Sequence, residues 1–146
     1  MSGQINLSSA SIRDASCYQQ VAWLHIEGIS HGFLPQLGTD FIILLYRAID
    51  GCNSSVLLTE CEDEKVVGFV SGAYSMKAIY WQLMYKPVQL LLSLLPSLFR
   101  PYRLKRIFEV IRYGGQLSNE KENPLPEFEL LSIVVDPVAR GSGCAD

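Results

Sequence analysis

The sequence has no large excess of charge of either sign and no paired cysteines. Its 12 basic and 15 acidic residues give a net charge of −3, which argues against the broad basic surface of nucleic-acid-binding proteins. Four cysteines (Cys17, Cys52, Cys61 and Cys144) occur at irregular spacings, without a CxxC pair or a Cys/His cluster. This pattern favours reduced thiols over disulfides or a metal site. We therefore expect no metal and no nucleic-acid partner.

The chain also lacks a long uninterrupted apolar run and a secretory signal. Residues 78–99 are strongly apolar, but Lys86, Pro87 and Pro96 interrupt them, whereas a membrane-spanning helix needs about 20 consecutive apolar residues. A signal peptide begins with basic residues followed by an apolar run, and the first thirty residues do not contain this pattern. We expect a cytoplasmic protein without a transmembrane span.

The 146 residues, 49% of them hydrophobic, are enough for one domain with a sizeable core. Alternation predicts a short strand at Ser9–Ala15. Ser16 and Gln19 match a capping box, which predicts a helix running to about Ile26 and ending near Gly28. A second helix is predicted from Thr39 to Ile49.

The second half of the chain begins with two segments of β character, Ser55–Cys61 and Val66–Tyr74. Only four polar residues separate them, which predicts a hairpin, and Gly68 and Gly72 suggest a bulge or a close backbone approach. A helical pattern follows over residues 77–113, and residues 127–135 form the most convincing strand. This order predicts a mixed α/β (α+β) sheet protein.

The most informative segment follows that strand, where Asp136-Pro137 leads into Arg140-Gly141-Ser142-Gly143-Cys144-Ala145. A strand that enters a glycine-containing turn is a common phosphate-binding arrangement, because successive backbone N–H groups converge there. A P-loop is excluded because Cys144-Ala145 stands where Lys-Ser/Thr is required. Asp146 occupies the place of the third glycine or alanine of a dinucleotide fingerprint.

This loop resembles the hallmark of the GNAT superfamily of N-acetyltransferases, Arg/Gln-x-x-Gly-x-Gly/Ala after a strand, matched by Arg140, Gly143 and Ala145. The segments Ser11–Ser16 and Val66–Gly72 also resemble family elements in family order. The resemblance implies one acyltransferase domain over residues 1–146, with a mixed, largely antiparallel sheet flanked by helices and a helical insert at 77–113. The family continues past this loop, so the resemblance implies that the C-terminal part of the fold is missing and that this chain by itself is inactive or binds acetyl-CoA only weakly.

The resemblance also implies a site for acetyl-CoA as co-substrate, with a small-molecule primary amine as acceptor. The pantetheine arm would pair with the backbone of Ile133, Val134 and Val135. Loop amides would hold the pyrophosphate; these are the amides of Arg140, Gly141, Ser142, Gly143, Cys144 and Ala145. Either Glu127 or Glu129, two residues apart on one face of the strand, would accept the amine proton as the catalytic base.

Several alternatives remain open at the level of sequence. The chain could be a non-catalytic CoA-binding module, or a module that binds a partner or a membrane surface. His31 could touch the acceptor, although a core or loop position is the commoner role for both His25 and His31. The insert could form a lid, a dimer contact, a membrane-surface helix or a solvated face. The apolar strand ending at Val135 has an edge that we expect to promote self-association.

Overall fold

The structure, a computed structural model, describes residues 14–99, 101, 102, 105 and 128–141. Helix α1 spans Ala15–Gly28, a short 3₁₀ turn spans Leu34–Leu37, and helix α2 spans Thr39–Asp50. Both predicted N-terminal helices are therefore confirmed. The predicted strand at residues 9–15 lies outside the described residues except for Asp14 and Ala15, and Ala15 already begins α1.

Three strands form one antiparallel sheet: β1 (Ser55–Glu62), β2 (Lys65–Ala73) and β3 (Glu129–Val135). Their order is β1-β2-β3, so β2 lies in the centre. The hairpin and the pairing of the 127–135 segment beside the second hairpin strand are both confirmed. The protein has a mixed α+β fold in which helices flank an antiparallel sheet.

Two more helices, α3 (Met76–Met84) and α4 (Pro87–Leu98), occupy the first part of the predicted helical segment. The break between them falls at Tyr85-Lys86, directly before Pro87, the first residue of α4. Proline has no N–H to donate and therefore favours the first turn of a new helix. Among the following residues the structure describes 99, 101, 102 and 105, the last three as helical. The remainder of the predicted segment 77–113 lies outside the described residues.

The core lies between the helices and one face of the sheet. Helices α1 and α2 pack on the sheet, and α3 and α4 pack on α2. Four completely buried side chains, one from each of four elements, mark its centre: Val21, Ile42, Leu57 and Ile79. Val21, Ala22 and Leu24 form the buried side of α1.

The predicted capping box at the start of α1 is wrong. Asp14 is the N-cap, and Ser16 is already helical, with its Oγ 3.3 Å from the Nε2 of Gln20. The role assigned to Gly28 also changes, because the residue that follows the helix, Ile29, has an ordinary negative φ of −123°. A glycine that terminates a helix does so by adopting a left-handed conformation after the last turn, and no residue at this helix end has that conformation.

Two register shifts confirm the irregularity predicted around Gly68 and Gly72. One shift, between Glu60 and Cys61 on β1, leaves Val67 as the extra residue on β2. The other, between Ser71 and Gly72 on β2, leaves Leu131 as the extra residue on β3. A Cβ on Gly72 would also meet the ring of Phe128. Such bulges bend a strand and are common beside functional sites.

Candidate functional site

Strand β3 provides the first part of the candidate site, because within the described residues it pairs only with β2. Its other edge therefore carries backbone N–H and C=O groups that an extended ligand can pair with. The three strand residues predicted to contact the cofactor all lie in this strand. Val134 is buried, whereas Ile133 is 58% exposed and Val135 is half-buried.

The turn that follows β3 is organised by Asp136. Its Oδ1 accepts a hydrogen bond from the backbone N–H of Val138 at 3.0 Å, which caps the 3₁₀ turn Pro137–Ala139. Its own backbone N–H donates to the carbonyl of the bulge residue Val67 at 2.7 Å. The β2 bulge and the turn are therefore joined, and Asp136 fixes the direction in which the chain leaves the sheet.

The Asp136 carboxylate is also paired with Lys65, whose Nζ lies 2.9 Å from Oδ2. The hydrogen bond from Lys65, followed by the one from the Val138 amide, holds the pKa of Asp136 below its usual value. The same contact raises the pKa of Lys65. Sequence analysis noted Asp136 only as part of the lead-in to the loop, and it could not find Lys65, because 71 residues separate the partners.

The turn ends at Arg140 and Gly141. The Nε of Arg140 donates to the carbonyl of Val135 at 3.4 Å, so this exposed guanidinium lies beside the end of β3. Gly141 has a φ of +83°, a conformation that glycine adopts without strain and other residues rarely adopt. The other predicted phosphate-binding residues, Ser142, Gly143, Cys144 and Ala145, lie outside the described residues.

The predicted catalytic residues belong to the opposite end of β3. Glu129 is exposed, begins the strand and pairs with Ala73 of β2, while Glu127 lies outside the described residues. At about 3.3 Å per residue, Glu129 lies about 20 Å along the strand from Val135. The bulge at Leu131 falls between them. The two ends of β3 therefore differ in charge, with Glu129 at the first residue and Arg140 in the turn after the last.

A pair of aromatic residues missed by sequence analysis closes the acidic end of the sheet. The rings of Tyr74 and Phe128 meet edge to face with centroids 4.9 Å apart. Phe128 lies where a side chain on Gly72 would have to be. The sequence signal for this contact was the glycine itself, which predicted a close approach without indicating the partner.

A buried polar cluster lies between the helices and the inner face of β2 and β3. His25 on α1 is 2% exposed, and its Nδ1 lies 2.7 Å from the Oη of Tyr46 on α2. Burial raises the pKa of Tyr46 to about 12, and the nearby Ser132 hydroxyl opposes this shift. Tyr46 therefore keeps its proton and can donate it to His25. The expected core position of His25 is confirmed, and His31 is exposed.

A surface groove lies elsewhere, between α2 and α4. It has a volume of about 260 Å³, and Asp40, Arg47, Gln89 and Ser93 supply its polar groups. Arg47 also stacks over the Tyr18 ring, 5.4 Å from its centroid. In the part of the chain that the structure describes, no cluster of three or more potential metal-binding side chains occurs. The groove does not contain any of the predicted site residues.

No protein-family model, curated protein or solved structure matches the chain. The resemblance to the GNAT superfamily therefore rests on the residues of the chain alone. Among the helices that the structure describes, none combines the length and the apolar character needed to cross a membrane.

Proposed function

We propose that the protein is an acetyl-CoA-dependent N-acetyltransferase of the GNAT type that acts on a small-molecule primary amine. One observation carries the proposal: the open edge of β3 leads directly into the Asp136 turn and the left-handed Gly141. A CoA molecule needs both parts, an extended strand edge for its pantetheine amides and converging N–H groups for its pyrophosphate.

In this proposal the binding sites for the parts of acetyl-CoA lie in succession along β3. The backbone of Ile133 to Val135 pairs with the pantetheine arm, and Arg140 with the loop amides that follow it holds the pyrophosphate. The thioester then lies toward the bulge at Leu131 and toward Glu129. Glu129 accepts a proton from the amine. The amine nitrogen forms a bond with the carbonyl carbon, the carbon–sulfur bond breaks, and CoA leaves as the thiolate, which takes up a proton from water.

A matched pair of glycines tests the cofactor site. Gly38 and Gly141 both have positive φ values, +99° and +83°, and both have open space where a Cβ would be. Replacing either with alanine introduces the same kind of backbone strain. We expect Gly141→Ala to weaken CoA binding about tenfold or more, equivalent to ~1.4 kcal/mol. Isothermal titration calorimetry measures this loss, and Gly38→Ala should bind CoA as the unmodified chain does.

Turnover separates an acetyltransferase from a non-catalytic CoA-binding module. The chain is incubated with acetyl-CoA and a panel of primary amines, and released CoA thiol is measured. Removing the proposed base with Glu129→Gln should lower the rate by about 10²- to 10⁴-fold without changing the dissociation constant for acetyl-CoA. CoA binding without thiol release for any amine would favour the non-catalytic module, and CoA binding that Gly141→Ala leaves unchanged would refute both.

Location and assembly belong to the same proposal. We place the reaction in the cytoplasm, where acetyl-CoA is available and where thiols such as Cys52 and Cys61 stay reduced. The strand edge that would receive pantetheine can also pair with the same strand of a second copy. Self-association and cofactor binding then compete for β3.

A further inference from the structure

Helix α4 is apolar on both of its sides, although only one side packs against the protein. Leu90 and Leu94 are half-buried and Ser93 is buried, on the side where α4 packs against α2. Other leucines of α4 are exposed: Leu91 is 58% exposed, Leu95 42%, and Leu92, at the border of the groove against α2, 60%. A helix that is apolar all round is normally covered all round, so the exposed side of α4 requires an explanation.

Helix α3, which contacts α4, also exposes large aromatic residues. Tyr80 and Trp81 are 49% and 61% exposed on α3, and Val88 at the start of α4 is 67% exposed. From Val88, the exposed leucines follow at the i+3, i+4 and i+7 positions of a helix. We call this surface the outer helical face; it consists of Tyr80, Trp81, Val88, Leu91, Leu92 and Leu95. Exposed apolar residues that cluster on packed helices often mark interaction sites.

Charge along the segment that carries the outer helical face has one sign, although Asp40 of α2 lies beside Leu92 in the groove between α2 and α4. The sequence contains no acidic residue between Glu64 and Glu109, whereas six basic residues occur from Lys77 to Arg106. Lys77, Lys86 and Lys105 are exposed. The whole chain is nevertheless acidic, with a net charge of −3. The basic charge is thus concentrated on the segment that carries the apolar surface.

We propose that the outer helical face binds an anionic phospholipid surface, with α4 lying in the plane of the membrane interface. Leucines would enter the boundary between headgroups and acyl chains, and Tyr80 and Trp81 would occupy the headgroup level that amphipathic aromatic rings prefer. Lysines at the margin would reach the phosphates with their long side chains. This surface function is separate from the acetyltransferase site on β3.

Charge favours a lipid surface over a second copy of the chain. Two outer helical faces brought together would place the same excess of basic groups on both sides of the contact, and like charges in close contact oppose binding. A membrane containing phosphatidylserine supplies the opposite charge, and each nearby lysine or arginine contributes to attraction within the screening length.

The two tryptophans of the chain provide a direct test. Trp81 belongs to the outer helical face, and Trp23 on α1 is similarly exposed, at 57% against 61%. The variant Trp23→Phe retains Trp81 as its only tryptophan, and Trp81→Phe retains Trp23. On adding vesicles of phosphatidylcholine with phosphatidylserine, we expect the emission of Trp81 to shift to the blue and to be quenched by brominated acyl chains. The emission of Trp23 should not change.

A second matched pair tests the apolar contact by vesicle sedimentation. Leu95 on α4 and Leu58 on β1 are 42% and 41% exposed. We expect Leu95→Glu to reduce vesicle binding about tenfold or more and Leu58→Glu to leave it unchanged, with both variants folded by circular dichroism. Lys77→Glu with Lys86→Glu should also reduce binding. Raising salt from about 0.1 M to about 1 M shortens screening from ~10 Å to ~3 Å and should weaken the binding of the unmodified chain.

Three results would overturn the proposal. The first is an unchanged Trp81 spectrum with anionic vesicles. The second is equal binding to vesicles of phosphatidylcholine alone, which would remove the role of charge. The third is a blue shift of Trp81 that depends on protein concentration and occurs without vesicles, because this would assign the outer helical face to a second copy.

Discussion

At the scale of single residues, His25 places a titratable group inside the core. Its Nδ1 faces the Tyr46 hydroxyl, and its Nε2 is buried with no hydrogen-bond partner. Because Tyr46 can donate to Nδ1, the proton of the neutral ring belongs on Nε2. A charged imidazole would carry the same unpaired donor together with a buried positive charge, which is more costly. Burial accordingly lowers the pKa of His25.

The lowered pKa predicts how stability depends on pH. In the unfolded chain the histidine has a pKa of 6.5 and binds a proton at a pH where the folded chain does not. The contribution of His25 to the free energy of unfolding is therefore fully present above pH 6.5 and is lost as the pH falls below it. We expect the free energy of unfolding, measured with urea, to decrease from pH 6.5 toward about pH 5.

The control for this prediction is the other histidine of the chain. His25→Gln cannot titrate in this range and should remove the decrease, whereas His31→Gln, at an exposed position, should preserve it. An equal decrease in the unmodified chain and in His25→Gln would contradict the assignment.

A core or loop position was expected for His25, but its hydrogen-bond partner was not predicted. Tyr46 lies 21 residues away. No local pattern links residues that only packing brings together, so the polar cluster could not be predicted.

At the scale of elements, the contact between α1 and β3 determines how closely the helix approaches the sheet. Gly28 is the last residue of α1, and a Cβ there would overlap the side chain of Val134. The glycine is thus required for packing. Sequence analysis treated it as a helix-terminating residue, because a glycine after an apolar stripe has the same pattern in both roles.

Alanine at position 28 should therefore destabilise the protein despite its better helix propensity. The propensity gain is about 1 kcal/mol, and overpacking at a tight contact costs about 1–3 kcal/mol. We expect a net loss of stability for Gly28→Ala in urea denaturation. The loss should be smaller when Val134→Ala is present as well, so a double-mutant cycle isolates the contact. Additive effects of the two substitutions would show that the residues do not interact.

Elements with strong local signals were predicted well. The hairpin, the helix at Thr39–Asp50 and strand β3 all formed where their apolar patterns placed them. The capping box failed because Ser16 and Gln19 satisfy the spacing rule, whereas Asp14 occupies the N-cap position. Local side-chain rules do not determine which of two neighbouring polar residues starts a helix.

At the scale of the whole molecule, the sheet has an apolar outer face in addition to the open edge of β3. Leu58, Leu130 and Ile133 are 41%, 62% and 58% exposed, and all three alternate with the residues that face the core. Together with an edge that has no partner strand in the described residues, this surface favours pairing with another copy.

We therefore expect the chain to self-associate through β3. Leu130→Lys places a charge beside the edge, a common means of blocking strand addition, and should shift the population toward monomer by size exclusion with light scattering. Val138→Lys, at a position 92% exposed in the following turn, is the control and should not. A monodisperse monomer of the unmodified chain at high micromolar concentration would refute the prediction.

At this scale the sequence predicted the arrangement of the candidate site only in part. It placed the strand and the turn in succession, because they are adjacent in the chain. It did not predict that Lys65 and the Val67 carbonyl would hold Asp136, since both come from a hairpin that ends long before β3 begins. The family resemblance and the catalytic role of Glu129 remain predictions.

The two pairings of β2 differ in the length of the segment that connects the paired strands, and we expect this difference to influence the order in which they form. Asp63 and Glu64 alone join β1 to β2, whereas β3 reaches β2 only after residues 74–128. Closing a short loop costs less conformational entropy than closing a long one, although each doubling of length adds only about 0.6 kcal/mol. We therefore expect the hairpin to form before β3 pairs with it. On this expectation, the strand that carries the proposed cofactor site is the last to join the sheet.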